Sequence, residues 1–204
     1  MYGLLIAFKD FRFQEGILGS PWVGFQHFAE MFKSNSFFTI FRNTFLIQFY
    51  KLIFAFPGPI ILAIMLNEIR KQAVKRTLQT MVYLPHFLSW VIAGGMLLTI
   101  LGPSGILNQI LSGLGLKTYN WMMEPQFFRG IVVTSHIWKE VGWGTIIYLA
   151  AISGINPELY EAAYVDGAKN WHTIWYITLP SILSTIIILF ILQLGRLLEV
   201  GFEQ

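Results

Sequence analysis

The chain alternates between long apolar runs and short polar links. The runs cover residues 43–66, 78–101, 130–152 and 180–198. Each is long enough to cross a hydrocarbon layer, which takes about 20 mostly apolar residues. Their apolar positions are continuous. A membrane β-strand would alternate lipid-facing and lumen-facing residues over about ten positions. The pattern therefore predicts four spanning helices in a single all-α, multi-pass transmembrane bundle over 1–204. An eight-residue apolar stretch, 1–8, ends at Lys9-Asp10 and is too short to span. It reads as the last turns of another span, and the closing EVGFEQ follows directly on a span. Both ends are thus expected to be cut from a longer chain, whose gene should encode apolar segments on either side.

Composition narrows the class. Hydrophobic residues make up 55% of the chain and charged residues 12%, against about 25% charged in a typical soluble domain. Mean hydropathy is +0.58. A soluble chain of this length would leave too much of that surface wet. The net charge of +3 is read as loop orientation, with no nucleic-acid partner. No cysteine is present, which removes disulfides, thiol nucleophiles and thiolate metal sites.

The bases set the orientation. The link between the first two runs carries Arg70, Lys71, Lys75 and Arg76 against one acid, Glu68. The link 102–129 carries only Lys117 and the border residue Arg129. The positive-inside rule puts the first link in the cytoplasm. Residues 102–126 are then outside and 153–179 inside. Segment 9–36 falls outside, its three bases (Lys9, Arg12, Lys33) matched by three acids (Asp10, Glu15, Glu30).

The cytoplasmic link 153–180, SGINPELYEAAYVDGAKNWHTIWYITLP, carries the most information. Asn156 suits an N-cap, Pro157 the first helical position and Glu158 the positive end of the dipole. A helix over 157–165 should stop at Asp166-Gly167, where glycine supplies a left-handed cap. Residues 171–176 predict a further aromatic turn, with Pro180 opening the next span. Ala162-Ala163 leaves a small face flanked by Glu161 and Asp166, and Tyr160 and Tyr164 form an i, i+4 pair. Such a helix suits either a plug for a partner's groove or an amphipathic interfacial helix.

Glu161-Ala162-Ala163, three residues, Gly167, nine residues, Ile177, one residue, then Leu179-Pro180 resembles the EAA loop of binding-protein-dependent ABC importer permeases. YGLLIAFKDF, LNEIR, YLPHFLSWVIAGGM, GPSGILN and GFEQ resemble the permeases of oligosaccharide and polysaccharide importers, in the same order. One departure is Ser184, where many relatives carry a second proline. The resemblance implies a type I-like permease that rocks between inward- and outward-open states in a bacterial plasma membrane. The loop helix would be a coupling helix seated in a cytoplasmic ATPase. Glu161 would face ATPase bases, Ala162, Ala163 and Gly167 would allow close approach with Asp166 beside them, and Leu179-Pro180 would anchor the loop. The implied partners are two ATPase subunits, a second permease, an extracytoplasmic solute-binding protein, membrane lipid and a sugar. The chain lacks G-x-x-x-x-G-K-[ST], so no cofactor is expected on it; ATP and Mg²⁺ would come with the ATPase.

Charges within the runs are costly, about 2.5–3.5 kcal/mol each at mid-bilayer. Lys51 is placed one-third into the first run, near enough to the outside to snorkel. Lys139 and Glu140 fall near mid-depth, His136 and Glu140 share a face, and Gln193 and Arg196 lie toward the outer end of the fourth run. His136, Trp138, Lys139, Glu140 and Trp143 are candidates for a polar, aromatic-lined sugar path; interhelical salt bridges are the other reading. No metal is expected, since His136 and Glu140 supply only two ligands. A membrane-embedded enzyme using His86, His136 and Glu140 is the rival from another class. Pro57-Gly58-Pro59, Pro85 and Gly94-Gly95 are expected to kink their helices. Apolar spacing over 106–114 predicts an outer interfacial helix.

Overall fold

The computed structural model describes residues 3–195. Arg196, the end of the fourth run and the GFEQ stretch lie outside the described residues. Contacts divide the chain into two compact units at Leu46–Ile47.

The first unit is organised by a buried lysine. It holds three short helices, α1 (Gly3–Ile6), α2 (Gly16–Gly19) and α3 (Gln26–Lys33), before the long α4 (Asn35–Tyr50) begins. The Lys9 ammonium donates to the carbonyls of Ile17 and Leu18 at 3.0 and 2.8 Å and lies 5.1 Å from the Trp22 ring centre. It satisfies carbonyls that a one-turn helix leaves without donors. Phe8, Phe25 and Phe28 pack in a triangle beside it.

The second unit is a helical assembly built around one uninterrupted helix. A π-helical turn (Lys51–Ala55) joins α4 to α5 (Pro57–Asn67), and α6 (Gln72–Tyr83) follows. A 3₁₀ turn (Leu84–Phe87) separates α6 from α7 (Trp90–Leu101), and α8 is Ile106–Gly113. Then come α9 (Pro125–Ser153), α10 (Pro157–Val165) and α11 (Asn170–Thr173). A second π turn (Ile174–Thr178), α12 (Leu179–Ser181) and α13 (Leu183–Gly195) complete the order.

The apolar runs are mapped with three differences. Helix starts at Ser36 rather than 43 and continues to Asn67 over 32 residues, which moves Lys51 to mid-length. Phe37, Phe38, Ile40 and Phe41 supply the extra turns. The run 78–101 is not one helix: Pro85 removes a donor and crowds the turn before it, and the chain re-enters helix at Trp90 with the Ser89 hydroxyl accepting from Ile92 N–H at 3.2 Å. The fourth run is entered through a 60° bend between residues 170–181 and 183–195. Among the described residues, Ser36–Asn67 and Trp90–Gly113 are long and apolar enough to cross a membrane, with the bent pair a third. α9 is 29 residues long but carries Arg129, His136, Lys139 and Glu140. Val132, Val133, Gly142, Thr145, Tyr148, Leu149 and Ile152 along it are buried by neighbouring helices.

Glycines permit that burial. A Cβ at Gly142 would land on the Val82 carbonyl of α6, and one at Gly144 would meet the Pro59 ring at 2.9 Å. Gly58 of α5 faces Val141 in the same way, at 2.8 Å. With apolar lipid as solvent, helices associate chiefly by such close packing. Ala63 and Leu66 of α5, Tyr148, Leu149 and Ile152 of α9, and Ile182 form the buried cluster at one end. On the segment after α7, the buried Asn108 amide donates to the Gly102, Pro103 and Tyr119 carbonyls and its oxygen accepts from Tyr119 N–H and Trp121 Nε1. That one side chain fixes how α8 and residues 119–121 sit.

Gly142→Ala is expected to cost about 1–3 kcal/mol, as overpacking a tight contact does, because the obstacle is backbone. Gly94→Ala, where nothing lies within 4 Å of the added carbon, should be near neutral. Thermal unfolding of the two purified full-length variants checks the contrast.

Candidate functional site

Two places combine unusual chemistry with a defined geometry. The first is a cavity of about 630 Å³ inside the second unit, within the range of small-molecule sites. α9 contributes His136, Glu140, Trp143, Gly144 and Ile147 to its wall. Their intervals of four, three, one and three are those of a single helix face. The chain around the first π turn contributes Gln48 and Lys51, α7 contributes Trp90, and α13 contributes Leu189, Leu192 and Gln193.

Lys51 is only 2% exposed. It does not snorkel toward a membrane surface, because its helix begins seven residues earlier than the apolar count suggests. The π turn has a local cause. Pro57 offers no N–H, and its ring crowds the preceding carbonyls. The turn widens, and Phe56 N–H bonds the Lys51 carbonyl five residues back at 3.1 Å. Single π turns of this kind recur at functional sites.

The sequence-level path candidates divide. His136, Glu140 and Trp143 line the cavity. Trp138 is exposed on another side of α9, two residues and about 200° from His136 at 3.6 residues per turn. Lys139, 5% exposed, turns toward the break between α6 and α7. Its ammonium donates to the His86 carbonyl at 2.9 Å and to Glu140 Oε1 at 3.1 Å, and lies 5.2 Å from the Trp90 ring centre. His86 Nδ1 sits 2.8 Å from Glu140 Oε2, and the imidazole stacks on Trp143 at 4.5 Å and 3°. Glu140 thus presents one oxygen to the lysine and one to the histidine. Neither Trp138 nor Lys139 is among the residues that line this cavity.

His86 is the residue that sequence reasoning left out of the path. Its signal was its place directly after Pro85 in an apolar run, where a helix break exposes a carbonyl that a neighbouring cation can satisfy. Among the described residues, no group of three or more His, Cys, Asp or Glu side chains gathers as a metal site.

The second place is the loop. α10 spans Pro157–Val165 with the Asn156 side chain accepting from Glu158 N–H at 3.1 Å. At its far end Gly167 has φ +80°. Gly167 N–H bonds the Tyr164 carbonyl and Ala168 N–H the Ala163 carbonyl, at 3.0 and 2.9 Å. This paired 6→1 and 5→2 closure is a Schellman motif, which calls for glycine. Glu161, Ala162, Asp166 and Gly167 are exposed and Ala163 is half-buried. Leu159, Tyr164 and Val165 are exposed as well, Val165 at 89%. The two tyrosines separate: Tyr160 turns inward, its hydroxyl 2.9 Å from Thr178 Oγ1, while Tyr164 faces out.

Leu179-Pro180 closes the loop by the device seen at Pro57. The residue before the proline, Leu179, bonds five residues back to the Ile174 carbonyl and closes a five-residue π turn. Asn170 Nδ2 donates to Glu68 Oε2 at 2.9 Å, which places the loop beside the link that carries Arg70, Lys71, Lys75 and Arg76.

Residues 55–199 match the family described as binding-protein-dependent transport system inner membrane component. The chain is 44% identical over its whole length to Protein LplB of Bacillus subtilis (strain 168). It is 45% identical, again over its whole length, to the polygalacturonan/rhamnogalacturonan transport system permease protein YteP of the same organism. It spans 64% of each relative's own length. Among solved structures it is similar, at 46% identity and TM-score 0.89, to a chain of a bacterial ABC transporter involved in the import of the acidic polysaccharide alginate. That match covers 98% of this chain and 67% of the other. A second match, at 48% identity and TM-score 0.84, covers 88% and 63% of the two chains. It is to a bacterial alginate ABC transporter in complex with an alginate pentasaccharide-bound periplasmic protein. YteP is named a permease, and nothing in these matches supports an enzyme built on His86, His136 and Glu140.

Glu140→Ala removes a charged acceptor from the buried Lys139 and should cost about 1.5–3 kcal/mol. Glu140→Gln, which keeps an acceptor, should cost less. Melting of the purified full-length variants measures both. If the glutamate also contacts cargo, the alanine variant should carry an altered range of sugars at equal protein level.

Proposed function

The chain belongs to the family of binding-protein-dependent transport system inner membrane components, and we propose that it is the permease subunit of an ATP-driven importer of oligosaccharides in a bacterial plasma membrane. The observation that carries this reading is α10. It is a preformed helix, capped at both ends, whose small and acidic residues face outward at the end of the assembly that carries Glu68 and Asn170. A helix with Leu159, Tyr164 and Val165 exposed beside Glu161 and Asp166 suits a groove with an apolar floor and a basic rim. Such a groove belongs to a cytoplasmic ATPase, which supplies the ATP and Mg²⁺ chemistry that this chain has no motif for.

The other partners follow from the same reading. A second permease subunit completes the pathway, a second ATPase completes the nucleotide machinery, and an extracytoplasmic binding protein delivers cargo from the opposite side. Polysaccharide transport named for the relatives supports a sugar cargo. The cavity suits one: Trp90, Trp143 and Tyr148 offer flat apolar faces, and Gln48, His136, Glu140 and Gln193 offer hydrogen-bonding groups. Few convergent polar groups on an apolar wall is the usual make-up of a small-molecule site.

Glu161→Lys, on an exposed position that bears no part of the fold, should abolish ATP-driven uptake while the protein still inserts. Gly167→Trp should do the same, both by bulk and because φ +80° disfavours a side chain. Uptake in cells and co-purification with the ATPase check this. Normal uptake by Glu161→Lys would refute the docking role.

A further inference from the structure

The break at Pro85 puts one side chain of the α6–α7 connection behind two residues of the cavity wall. His86 does not line the cavity, but its ring meets Glu140 and Trp143, which do. Nδ1 lies 2.8 Å from Glu140 Oε2, and an ionised carboxylate only accepts, so Nδ1–H donates. The imidazole plane lies 3° from that of the Trp143 indole, with ring centres 4.5 Å apart. Phe87 meets the same indole edge-on, at 5.7 Å and 82°. The His86 main chain is tied to the same stretch of α9, since its carbonyl accepts from Lys139. An apolar side chain at 86 could cover the indole; only a donor can fix the carboxylate as well.

Both contacts act on groups that a sugar would use. Glu140 Oε1 takes the Lys139 ammonium and Oε2 the imidazole, which sets the plane of the carboxylate. A carboxylate has about four acceptor sites, so positions remain for hydroxyl groups from the cavity. Trp143 is 44% exposed although the imidazole covers one face of its ring. We propose that His86 is a positioning residue for cargo. It touches no sugar, and it holds the Glu140 carboxylate and the Trp143 indole in the relative arrangement that receives one pyranose, hydroxyl groups on the first and a ring face on the second. The inference rests on the permease reading and adds a residue to its site. Two groups held by one ring have less freedom to lose when cargo binds, and that preorganisation raises affinity.

The test uses the assembled full-length transporter. Proteoliposomes supplied with binding protein and ATP show whether trigalacturonate or its carboxyl-reduced, neutral counterpart is carried. A carried sugar is then titrated calorimetrically against the transporter without binding protein. His86→Ala is expected to weaken binding about tenfold or more, the loss of one hydrogen bond to a charged group and one aromatic pair. His86→Phe keeps the stack and His86→Gln keeps a donor, so each should recover part of that loss. In a background of Glu140→Ala with Trp143→Ala nothing is left to position, and His86→Ala should change affinity by less than about twofold. A merely structural role would lower melting temperatures and act equally in both backgrounds. A second readout needs no change at 86. With fluorotryptophan incorporated, the Trp143 fluorine resonance, recognised by its loss in Trp143→Phe, should shift on saturation with sugar. Unchanged affinity in assembled His86→Ala, equal effects in the two backgrounds, or a Trp143 resonance indifferent to bound sugar would each overturn the role of His86 and leave the permease reading standing. Uptake of neither sugar would sink both.

Discussion

A backbone inside a membrane has no water to repair it, so each interrupted hydrogen bond must be met by the protein itself. Proline interrupts the described helices at Pro57-Pro59, Pro85 and Pro180, and the repair differs at each. At Pro57 and Pro180 the five preceding residues but one open into a π turn, and the residue directly before the proline bonds five positions back. At Pro85 the chain tightens into a 3₁₀ turn, and the exposed His86 carbonyl takes a bond from Lys139. The notable side chains lie at these repairs. Lys51 opens the first π turn, His86 and Lys139 occupy the second break, and Thr178 closes the third, where it meets Tyr160 of α10. The third break also draws on a side chain, since Thr178 Oγ1 reaches the Thr173 carbonyl at 3.3 Å.

α9 supplies the contrast. It runs from Pro125 to Ser153 without a break, so residues separated by two turns keep a fixed relation. Its faces have distinct duties. Gly142 and Gly144 let α6 and α5 approach to backbone distance. Lys139 supports the α6–α7 break, and the face of His136, Glu140 and Trp143 is turned to the cavity. A rigid helix with broken neighbours is a frame against which the neighbours can pivot, because π and 3₁₀ turns and a 60° bend tolerate changes in backbone angle that a regular helix resists.

The loop was legible in the sequence almost to the residue. Capping is local chemistry: an Asn before a Pro-Glu start and an Asp-Gly stop depend on few distant atoms, and α10 has the expected bounds. The EAA spacing was legible for the same reason, as a run of short intervals in one segment. The spans were legible only in outline. Hydropathy counts do not register that Phe37 to Phe41 extend the first helix, so Lys51 was placed too near an end. Helical periodicity could show that His136 and Glu140 share a face and that Lys139 does not. It could not show which face meets the cavity, nor that His86, more than fifty residues away, completes the Glu140 network. Those are consequences of packing, set by glycines whose partners lie on other helices.

The cavity and the loop are joined by short mechanical paths. α9 and α13 wall the cavity, and the segment between them holds the whole of α10. The rigid end of α9 leads into α10 through Gly154 and Ile155. The other end leads through α11, the π turn and the bend at Ile182 into α13, where Leu189, Leu192 and Gln193 face Glu140 and Trp143 across the space. Tyr160 on α10 is fastened to Thr178 at the bend, and Ile182 is packed into the cluster of Ala63, Leu66 and Tyr148. A displacement of α10 therefore has two routes, one stiff and one hinged. The stiff route moves α9 as a body with the helices docked on its glycines. The hinged route alters the angle of α13. On the permease reading proposed above, a displacement of α10 would reach both walls of the cavity, directly through α9 and through the bend that precedes α13.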